Sequence, residues 1–268
     1  MLTAIVPARD EEGRISRLLN NLVQLPEIRE ILVVLNGSTD NTLDEVKKFS
    51  AKNIEVLFFK EALGIDVPRA AGAAWGRERG HKSFLFVDGD LVGDVREGLR
   101  SLITNAHRLH LDLALTDCYP RLPQENTLAR KMLAFRHYLN KEIGLFDTIS
   151  FATPSHGPHL VSRRFLEKVP LKELAVPPVA MVAALKKGLA IGVAAKIPHF
   201  ILGSSIKNLY HSRMVSETII GDSIEALQFF HNEKRTRAFS GKAYLGYHRE
   251  RRFDLLEEIL ASPSRYRI

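Results

Sequence analysis

The sequence has 268 residues and a formal net charge of +7, with 45% hydrophobic and 26% charged residues. This balance supports a folded core, excludes wholesale disorder, and favours anionic partners such as nucleotide sugars or phosphorylated acceptors. Cys118 is the only cysteine, which excludes an intrachain disulfide and a cysteine-based zinc site. No stretch reaches the roughly 20 apolar residues that span a bilayer, and the first residues lack the apolar run of a signal peptide. We therefore expect a cytoplasmic protein.

Apolar runs alternate with amphipathic segments from the start of the chain to about residue 118. The runs predict strands at 2–7, 30–35, 54–59, 83–87 and 111–117. Apolar residues at helical spacing predict helices at 15–22, around 43–49, at 66–80 and at 95–109. Strands that are apolar throughout and joined by helices predict an α/β fold with a mostly parallel sheet, covered by helices on both faces.

The pattern becomes less regular after residue 120. It predicts helices at 125–142, 162–168, 178–187, 213–232 and 243–261, a strand at 188–202 and an irregular segment at 150–161. We expect one compact domain over residues 1–232 and a helical C-terminal extension over 233–268. The last helix mixes basic and apolar residues, so packing on its own domain and peripheral contact with the inner face of a membrane are both left open.

Polar groups follow three of the predicted strands, at residues 8–10, 36–38 and 88–90. Ligands of parallel sheets bind outside the carboxyl ends of the strands, so we expect these groups to meet in one crevice. Asp88 and Asp90 flank Gly89, and residues i and i+2 of an extended strand point to the same side. A hard divalent cation takes oxygen ligands and neutralises a departing diphosphate. Alternatively, the two aspartates only end a strand.

Four segments, in order, resemble the nucleotide-binding half of family 2 glycosyltransferases with the GT-A fold. They are IVPARDEEGRI, VVLNGSTDNT, the glycine-containing helix PRAAGAAWGRERG, and SFLFVDGDL. The resemblance implies a Rossmann-like GT-A domain in which residues 1–118 bind the nucleotide sugar and 119–232 bind the acceptor. It also implies Mg²⁺ or Mn²⁺ as the cofactor and a UDP- or GDP-linked sugar as the donor.

The same resemblance implies roles for individual residues. Asp90 would bind the metal, and Asp88 would bind the ribose or a metal-bound water. Arg9 and Arg69 would lie nearest the diphosphate, and Asn36 would face the base. The donor-binding residues implied in this way are Pro7, Ala8, Arg9, Glu11, Asn36, Gly37, Ser38, Arg69, Asp88 and Gly89. Ser38 could equally cap the helix that follows it.

The second half departs from that family pattern. Inverting family 2 enzymes usually carry a carboxylate base after the acceptor segment, whereas this chain has no Asp or Glu between Leu174 and Ser216. An inverting displacement needs a base to remove the acceptor proton. An active enzyme could instead retain configuration, with the departing phosphate taking that proton, or could invert with His156 or His159 as the base. We favour retention.

The segment SHGPHLVSRRFLEKVP, with the helix and strand after it, distantly resembles the glucosyl-3-phosphoglycerate synthases and their mannosyl relatives. In those retaining GT-A enzymes a late histidine completes the metal site, which implies His199 here, with His211 as the second choice. The remaining site residues are assigned from this segment. They are His156, Gly157, Arg163 and Arg164 for binding a small anionic acceptor, and His159 as a catalytic candidate.

Two other classes of protein are weighed against a glycosyltransferase. A catalytically silent protein could keep the nucleotide-sugar pocket without the acceptor chemistry. A nucleotidyltransferase is disfavoured because its glycine-rich loop and lysine after the first strand are absent. The basic residues are spread along the chain and form no nucleic-acid-binding module, so we expect no nucleic acid partner. A homodimer is left open.

Overall fold

The computed structural model describes residues 1–49, 53–120, 127–203 and 208–268. Its centre is a seven-stranded sheet. The strands are β1 (Leu2–Ala8), β2 (Ile28–Asn36), β3 (Ile54–Phe59), β4 (Ser83–Phe86), β5 (Leu113–Asp117), β6 (His159–Ser162) and β7 (Ile191–Lys196). Their order across the sheet is β3-β2-β1-β4-β6-β5-β7.

The sheet is mostly parallel, as predicted. β1 lies between β2 and β4, and these strands and β3 all run in the same direction. β5 and β7 are also parallel to each other, whereas β6 runs antiparallel to both β4 and β5. The carboxyl ends of β1, β2 and β4 therefore lie at one edge of the sheet, which is where the sequence predicts the crevice.

Helices cover both faces of the sheet. Those of the described residues are α1 (Ile15–Val23), α2 (Thr42–Lys47), α3 (Val67–Glu78), α4 (Arg96–Arg108), α5 (Thr127–Glu142), α6 (Phe146–Ile149), α7 (Arg163–Lys168), α8 (Pro177–Lys186), α9 (His199–Leu202), α10 (Leu209–Phe230) and α11 (Phe253–Ala261). One face packs against α3, α8 and α11, and the other against α1 and α4. Within the described residues, no helix combines the length and apolarity needed to cross a membrane.

The helix α3 lies unusually close to the sheet. Every residue from Val67 to Gly76 is buried, and two glycines allow the approach. A Cβ on Gly72 would lie 2.5 Å from the Ile5 side chain, and one on Gly76 would lie 2.4 Å from the Phe84 ring. This contact fixes the position of the first turn of α3, which carries residues of the crevice wall.

Two elements of the second half differ from the sequence prediction. The segment predicted as irregular at 150–161 contains most of β6, a strand of only four residues whose pairing with β4 no local pattern indicates. The strand predicted at 188–202 ends at Lys196, because Pro198 cannot donate a ladder hydrogen bond, and α9 follows.

The C-terminal segment is also different from the prediction of one helix at 243–261. It contains a short hairpin of β8 (Ala238–Phe239) and β9 (Lys242–Ala243), a 3₁₀ turn at Gly246–Glu250, and then α11. The segment packs on the first half of the chain, since Leu256 and Ile259 are buried in the core beside α3. Packing on its own domain, one of the two alternatives left open, therefore accounts for α11.

The close contact of α3 with the sheet gives a first prediction. Gly76→Ala should lower the free energy of unfolding by about 1–2 kcal/mol, because the strain of overpacking against the fully buried Phe84 ring exceeds the gain in helix propensity. Urea denaturation followed by circular dichroism measures this change. Arg77→Ala, at the next and exposed position, is the control and should change little. A Gly76→Ala protein as stable as the parent would contradict the close packing.

Candidate active site

A cavity of about 630 Å³ opens at the carboxyl ends of β1, β2 and β4. It is bounded on its far side by α5, α10 and the turn before α11. Most of the site residues that the sequence predicts line this cavity, which we call the crevice. Those residues are Pro7, Ala8, Arg9, Glu11, Asn36, Arg69, Asp88, Gly89, Asp90, His156, His199 and His211.

Asp88 and Asp90 reach the crevice by a turn and not, as expected, as part of an extended strand. β4 ends at Phe86, and the Leu91 N–H donates to the Asp88 carbonyl at 3.3 Å. The Gly89 N–H donates to the Pro7 carbonyl at 3.0 Å, and a Cβ on Gly89 would lie 3.0 Å from that same oxygen. A side chain at position 89 would be crowded there, so glycine favours this close approach, which holds both carboxylates beside the end of β1.

The cation that faces Asp88 is Arg69. The Arg69 Nη2 donates to the Asp88 carboxylate at 2.5 Å, and its Nη1 donates to the Pro154 carbonyl at 3.0 Å. Arg69 also lies 3.5 Å from Asp66, the residue immediately before the first residue of α3. The arginine is buried and committed to these partners. It orients Asp88, and its place nearest the diphosphate stays a prediction.

Beyond Arg69, alternating charges continue into the C-terminal segment. Arg251 lies 2.8 Å from Asp66 and 2.7 Å from Asp222, and Arg237 lies 2.6 Å from Asp222. We call the connected residues the buried ion chain. Its members are Asp88, Arg69, Asp66, Arg251, Asp222, Arg237 and Glu225. Although burial opposes it, Arg251 and Arg237 hold the pKa of the Asp222 carboxyl below its ordinary value.

Asp222, Glu225 and His248 lie close enough together to suggest a metal site. Their carboxylates, however, are already neutralised by arginines: Asp222 binds Arg251 and Arg237, and Glu225 also binds Arg237. Arginine does not lose its proton in proteins, so these pairs would have to break before a cation could bind. The cluster is better explained as part of the buried ion chain.

Two of the predicted histidines, His156 and His199, meet beside Tyr119 on the crevice wall. The two imidazole centroids are 5.0 Å apart, and those of His156 and His199 lie 5.2 and 5.8 Å from the Tyr119 ring. His199 begins α9 and is exposed. His211 lines the same crevice from α10, with its Nδ1 2.8 Å from the Tyr247 hydroxyl. A shared ion between Asp90 and either late histidine stays a prediction.

His159, Arg163 and Arg164 do not lie where the sequence predicts. His159 is buried in β6, stacked on Phe86 at 4.9 Å, and is absent from the crevice wall. Burial, followed by the charge of Arg69, lowers its pKa to about 3, so it is a poor base.

Because β6 runs antiparallel to β4, Arg163 and Arg164, which follow β6, lie at the edge of the sheet away from the crevice. Ser162 pairs with Ser83 at the start of β4, about 16 Å from Asp88 at roughly 3.3 Å per residue. Arg163 binds Glu167 and Arg164 binds Asp112 at that edge. The prediction that these arginines hold the acceptor in the crevice is corrected.

The end of β2 and the loop after it hold neighbouring segments in place. The Asn36 amide donates to the Gly64 carbonyl at 3.0 Å, and its oxygen accepts from the Leu63 N–H at 2.6 Å, so both ends hold the neighbouring loop. That Asn36 also faces the base stays a prediction. Gly37 has φ +67° and would clash with Ala62 if it carried a Cβ, and Ser38 accepts from the Asp10 N–H at 3.2 Å. Gly37 and Ser38 do not line the crevice, and neither does Gly157.

Several crevice residues were not predicted from the sequence. They are Asp66, Tyr119, Ser155, Asp222, Tyr247 and Glu250. Asp66 comes just before Pro68, a pair typical of a helix start, and this signal could have placed it at the strand-end edge. The others depend on contacts between distant parts of the chain.

The buried ion chain gives a second prediction. Arg251→Met should lower the free energy of unfolding by about 3 kcal/mol, because Asp66 and Asp222 would keep buried charges with one cation fewer. The adjacent Arg252 is a matched control, since its side chain is 36% exposed and pairs with Asp254 and Glu61. Arg252→Met should leave the urea midpoint almost unchanged because exposed ion pairs contribute little. Equal losses in the two variants would contradict the assignment.

Known proteins resemble both the sequence and the fold. The sequence profile described as glycosyl transferase family 2 matches residues 3–169, more than half of the chain. A 4,4'-diaponeurosporenoate glycosyltransferase of Staphylococcus aureus is 38% identical over 56 residues, which are 21% of this chain and 15% of that protein. The chain therefore matches only a small part of that relative's length.

Solved structures show the fold. Glucosyl-3-phosphoglycerate synthase from Mycobacterium tuberculosis, in complex with Mn²⁺, UDP-glucose and glycerol 3-phosphate, superposes with a TM-score of 0.63 and 15% identity. The alignment covers 87% of this chain and 81% of that chain. A second structure, of a mycobacterial protein, gives a TM-score of 0.62 and 18% identity over 87% of this chain and 76% of its own. The predicted GT-A fold is confirmed, and the chain belongs to glycosyl transferase family 2, a family of glycosyltransferases.

Proposed function

We propose that this chain transfers a sugar from a UDP-linked donor to a small anionic acceptor, with a divalent ion, Mg²⁺ or Mn²⁺, bound in the crevice. The observation that carries the proposal is the turn at Asp88–Asp90, held against the end of β1 on the crevice wall. The family match supports the reaction class, and the Mn²⁺ and UDP-glucose bound to the mycobacterial synthase support the choice of donor and ion.

The donor set of the crevice fits a divalent ion. Asp88 is committed to Arg69, so we assign the carboxylate ligand to Asp90. His199 and His211 line the same cavity, and Mn²⁺ accepts both oxygen and imidazole ligands. When bound, such an ion neutralises the negative charge that develops on the departing nucleoside diphosphate. Arg9, whose side chain is 48% exposed on the crevice wall, can add a second positive charge at the diphosphate.

The arrangement of bases favours retention. Burial, followed by the charge of Arg136, lowers the pKa of His156 well below its ordinary value, which makes it a weak base at neutral pH. Asp222 on the crevice wall is neutralised by two arginines. With these groups unsuited to accept a proton, the leaving phosphate oxygen is the acceptor for the hydroxyl proton. Glu250, exposed on the same wall, is the carboxylate that an inverting reaction would use.

A cytoplasmic location, a homodimer and contact with a membrane surface stay predictions. A catalytically silent nucleotide-sugar-binding protein is the second candidate, because the usual carboxylate base of the family is missing between Leu174 and Ser216.

The third prediction tests donor and metal. UDP-sugars with Mn²⁺ should stabilise the protein, by about 2.7 kcal/mol at 100 times the dissociation constant, whereas the matched GDP-sugars should not. Asp90→Asn should fold but lose the metal-dependent part of this stabilisation in a thermal-shift assay. The control is Asp94→Asn, an exposed aspartate near the site that pairs with Arg96. An Asp90→Asn protein with unchanged metal dependence would remove the metal assignment.

The fourth prediction concerns stereochemistry. Proton NMR of the first-formed product from an α-linked UDP-sugar should show the α-anomer. A β-anomer would overturn retention, and loss of turnover in Glu250→Gln would then identify the base. No turnover with any donor and acceptor, despite nucleotide-sugar binding, would favour the silent protein.

A further inference from the structure

One arginine of α5 is buried and has no counter-charge in the part of the chain that the structure describes. Arg136 lies one helical turn after Met132, a crevice residue, and is only 1% exposed. It forms no ion pair with any carboxylate of residues 1–49, 53–120, 127–203 and 208–268. Its Nε and Nη2 have no hydrogen-bond partner among the same residues. A buried guanidinium normally has both, so Arg136 can attract a negative partner that the described residues do not supply.

The groups around Arg136 do not supply that charge. The Tyr119 ring lies 6.0 Å from the guanidinium carbon, and Cys118 is its sequence neighbour. Burial raises the pKa of the Tyr119 phenol and raises that of the Cys118 thiol to about 12, so both are neutral at pH 7. Although burial lowers the pKa of Arg136, guanidinium groups keep their proton in proteins. Among the described residues, the positive charge of Arg136 is therefore uncompensated.

Two hydrogen-bonding groups of the crevice wall also lack partners among the described residues. The Ser155 Oγ and the His156 Nε2 are buried and make no hydrogen bond within the described residues, and both residues line the crevice. The Tyr119 ring, near Arg136, is stacked on His156 at 5.2 Å. In the tautomer whose Nε2 carries the proton, the His156 ring donates a hydrogen bond. The crevice wall thus has a hydroxyl donor and an imidazole donor without partners among the described residues, and the imidazole stacks on the tyrosine ring that lies near the guanidinium.

We propose that Ser155, His156 and Arg136 form a subsite for the oxyanion of the acceptor, a phosphate or a carboxylate. Ser155 and His156 donate hydrogen bonds to it, and Arg136 supplies the positive charge from behind the wall as a positioning residue. The inference rests on the proposed function, because it assigns the anionic group of the acceptor in the same crevice. In this role the three residues of the subsite replace Arg163 and Arg164, which lie at the other edge of the sheet.

The charges near the subsite favour an anion there. His156 lies close enough to Arg136 and Arg69 for both positive charges to act on it, and Asp88 is already paired with Arg69. Among the described residues, the guanidinium of Arg136 forms no ion pair and attracts an oxyanion. Donors that are already desolvated also lose little more hydration when an anion arrives, which favours a small oxyanion over a neutral hydroxyl.

The test uses inorganic phosphate and acetate as probes, without divalent ions, so that Asp88 and Asp90 cannot recruit phosphate through a metal. Binding is followed by thermal shift and, for phosphate, by ³¹P NMR line broadening. Arg136→Met should weaken binding of the preferred probe by about tenfold or more, and Ser155→Ala by a smaller factor. Arg136→Lys should restore part of the binding. Arg130→Met, an exposed arginine on the same helix, is the matched control.

A second readout separates this role from a structural one. In the absence of anions, Arg136→Met should melt at the parental temperature or above it, because it removes an unpaired buried charge. A variant that melts lower yet binds phosphate and acetate like the parent overturns the subsite. If Arg136→Met does not fold, unchanged probe binding in Ser155→Ala overturns it as well. Phosphate preference indicates a phosphorylated acceptor, and acetate preference a carboxylate.

The outcome is independent of the proposed donor chemistry. Binding of UDP-sugars with Mn²⁺ together with absence of any phosphate or acetate effect overturns the subsite and leaves the proposed function standing. Anion binding that depends on Arg136, with no nucleotide-sugar binding, supports the subsite and removes the proposed donor.

Discussion

The ion pair between Arg69 and Asp88 is the contact on which the architecture of the crevice depends. It ties the turn after β4 to the first turn of α3, and through Asp66 and Arg251 it reaches the C-terminal segment. Buried ion pairs contribute little net stability, because the desolvation of both partners offsets their attraction, but they tolerate few alternative geometries. Through these contacts Arg251, near the end of the chain, helps to fix the position of Asp88 in its first half. Tyr247 and Glu250 line the crevice, so residues after 232 contribute to its wall.

Much of the first half could be predicted from the sequence, because its strands are long apolar runs whose ends carry polar residues. The strand β6 could not, since it has only four residues and exists through its pairing with β4. This single omission had consequences for function. A segment read as a loop can direct Arg163 and Arg164 anywhere, whereas an antiparallel strand carries them a full strand length away from His156. Local sequence patterns predict helices and long strands, whereas the direction of a short strand is set by the strands with which it pairs.

The arginines show that burial, like the direction of a short strand, could not be predicted from the sequence. By sequence, Arg251 and Arg252 are equivalent basic residues before an amphipathic helix, yet one is fully buried between two aspartates and the other is exposed. Arg136 likewise sits in a basic helix that looks solvent-facing. The net charge of the sequence counts these three arginines equally. Burial decides which charges matter, and it depends on packing among α5, α10 and the sheet that no nearby sequence pattern specifies.

The charged groups of the crevice differ along its wall, and their arrangement bears on where the two substrates are held. In the proposed reaction, Asp90 at the end of β4 holds a cation and the diphosphate that this cation binds, whereas Arg136 attracts the anionic group of the acceptor to Ser155 and His156. The negative groups of the donor and the acceptor would then have separate partners, which leaves the sugar and the acceptor hydroxyl to meet between them. Keeping the anions apart lowers their mutual repulsion while their reactive ends approach. A neutral acceptor would gain little from the charge of Arg136, whereas an anionic acceptor would offset part of the cost of burying that charge.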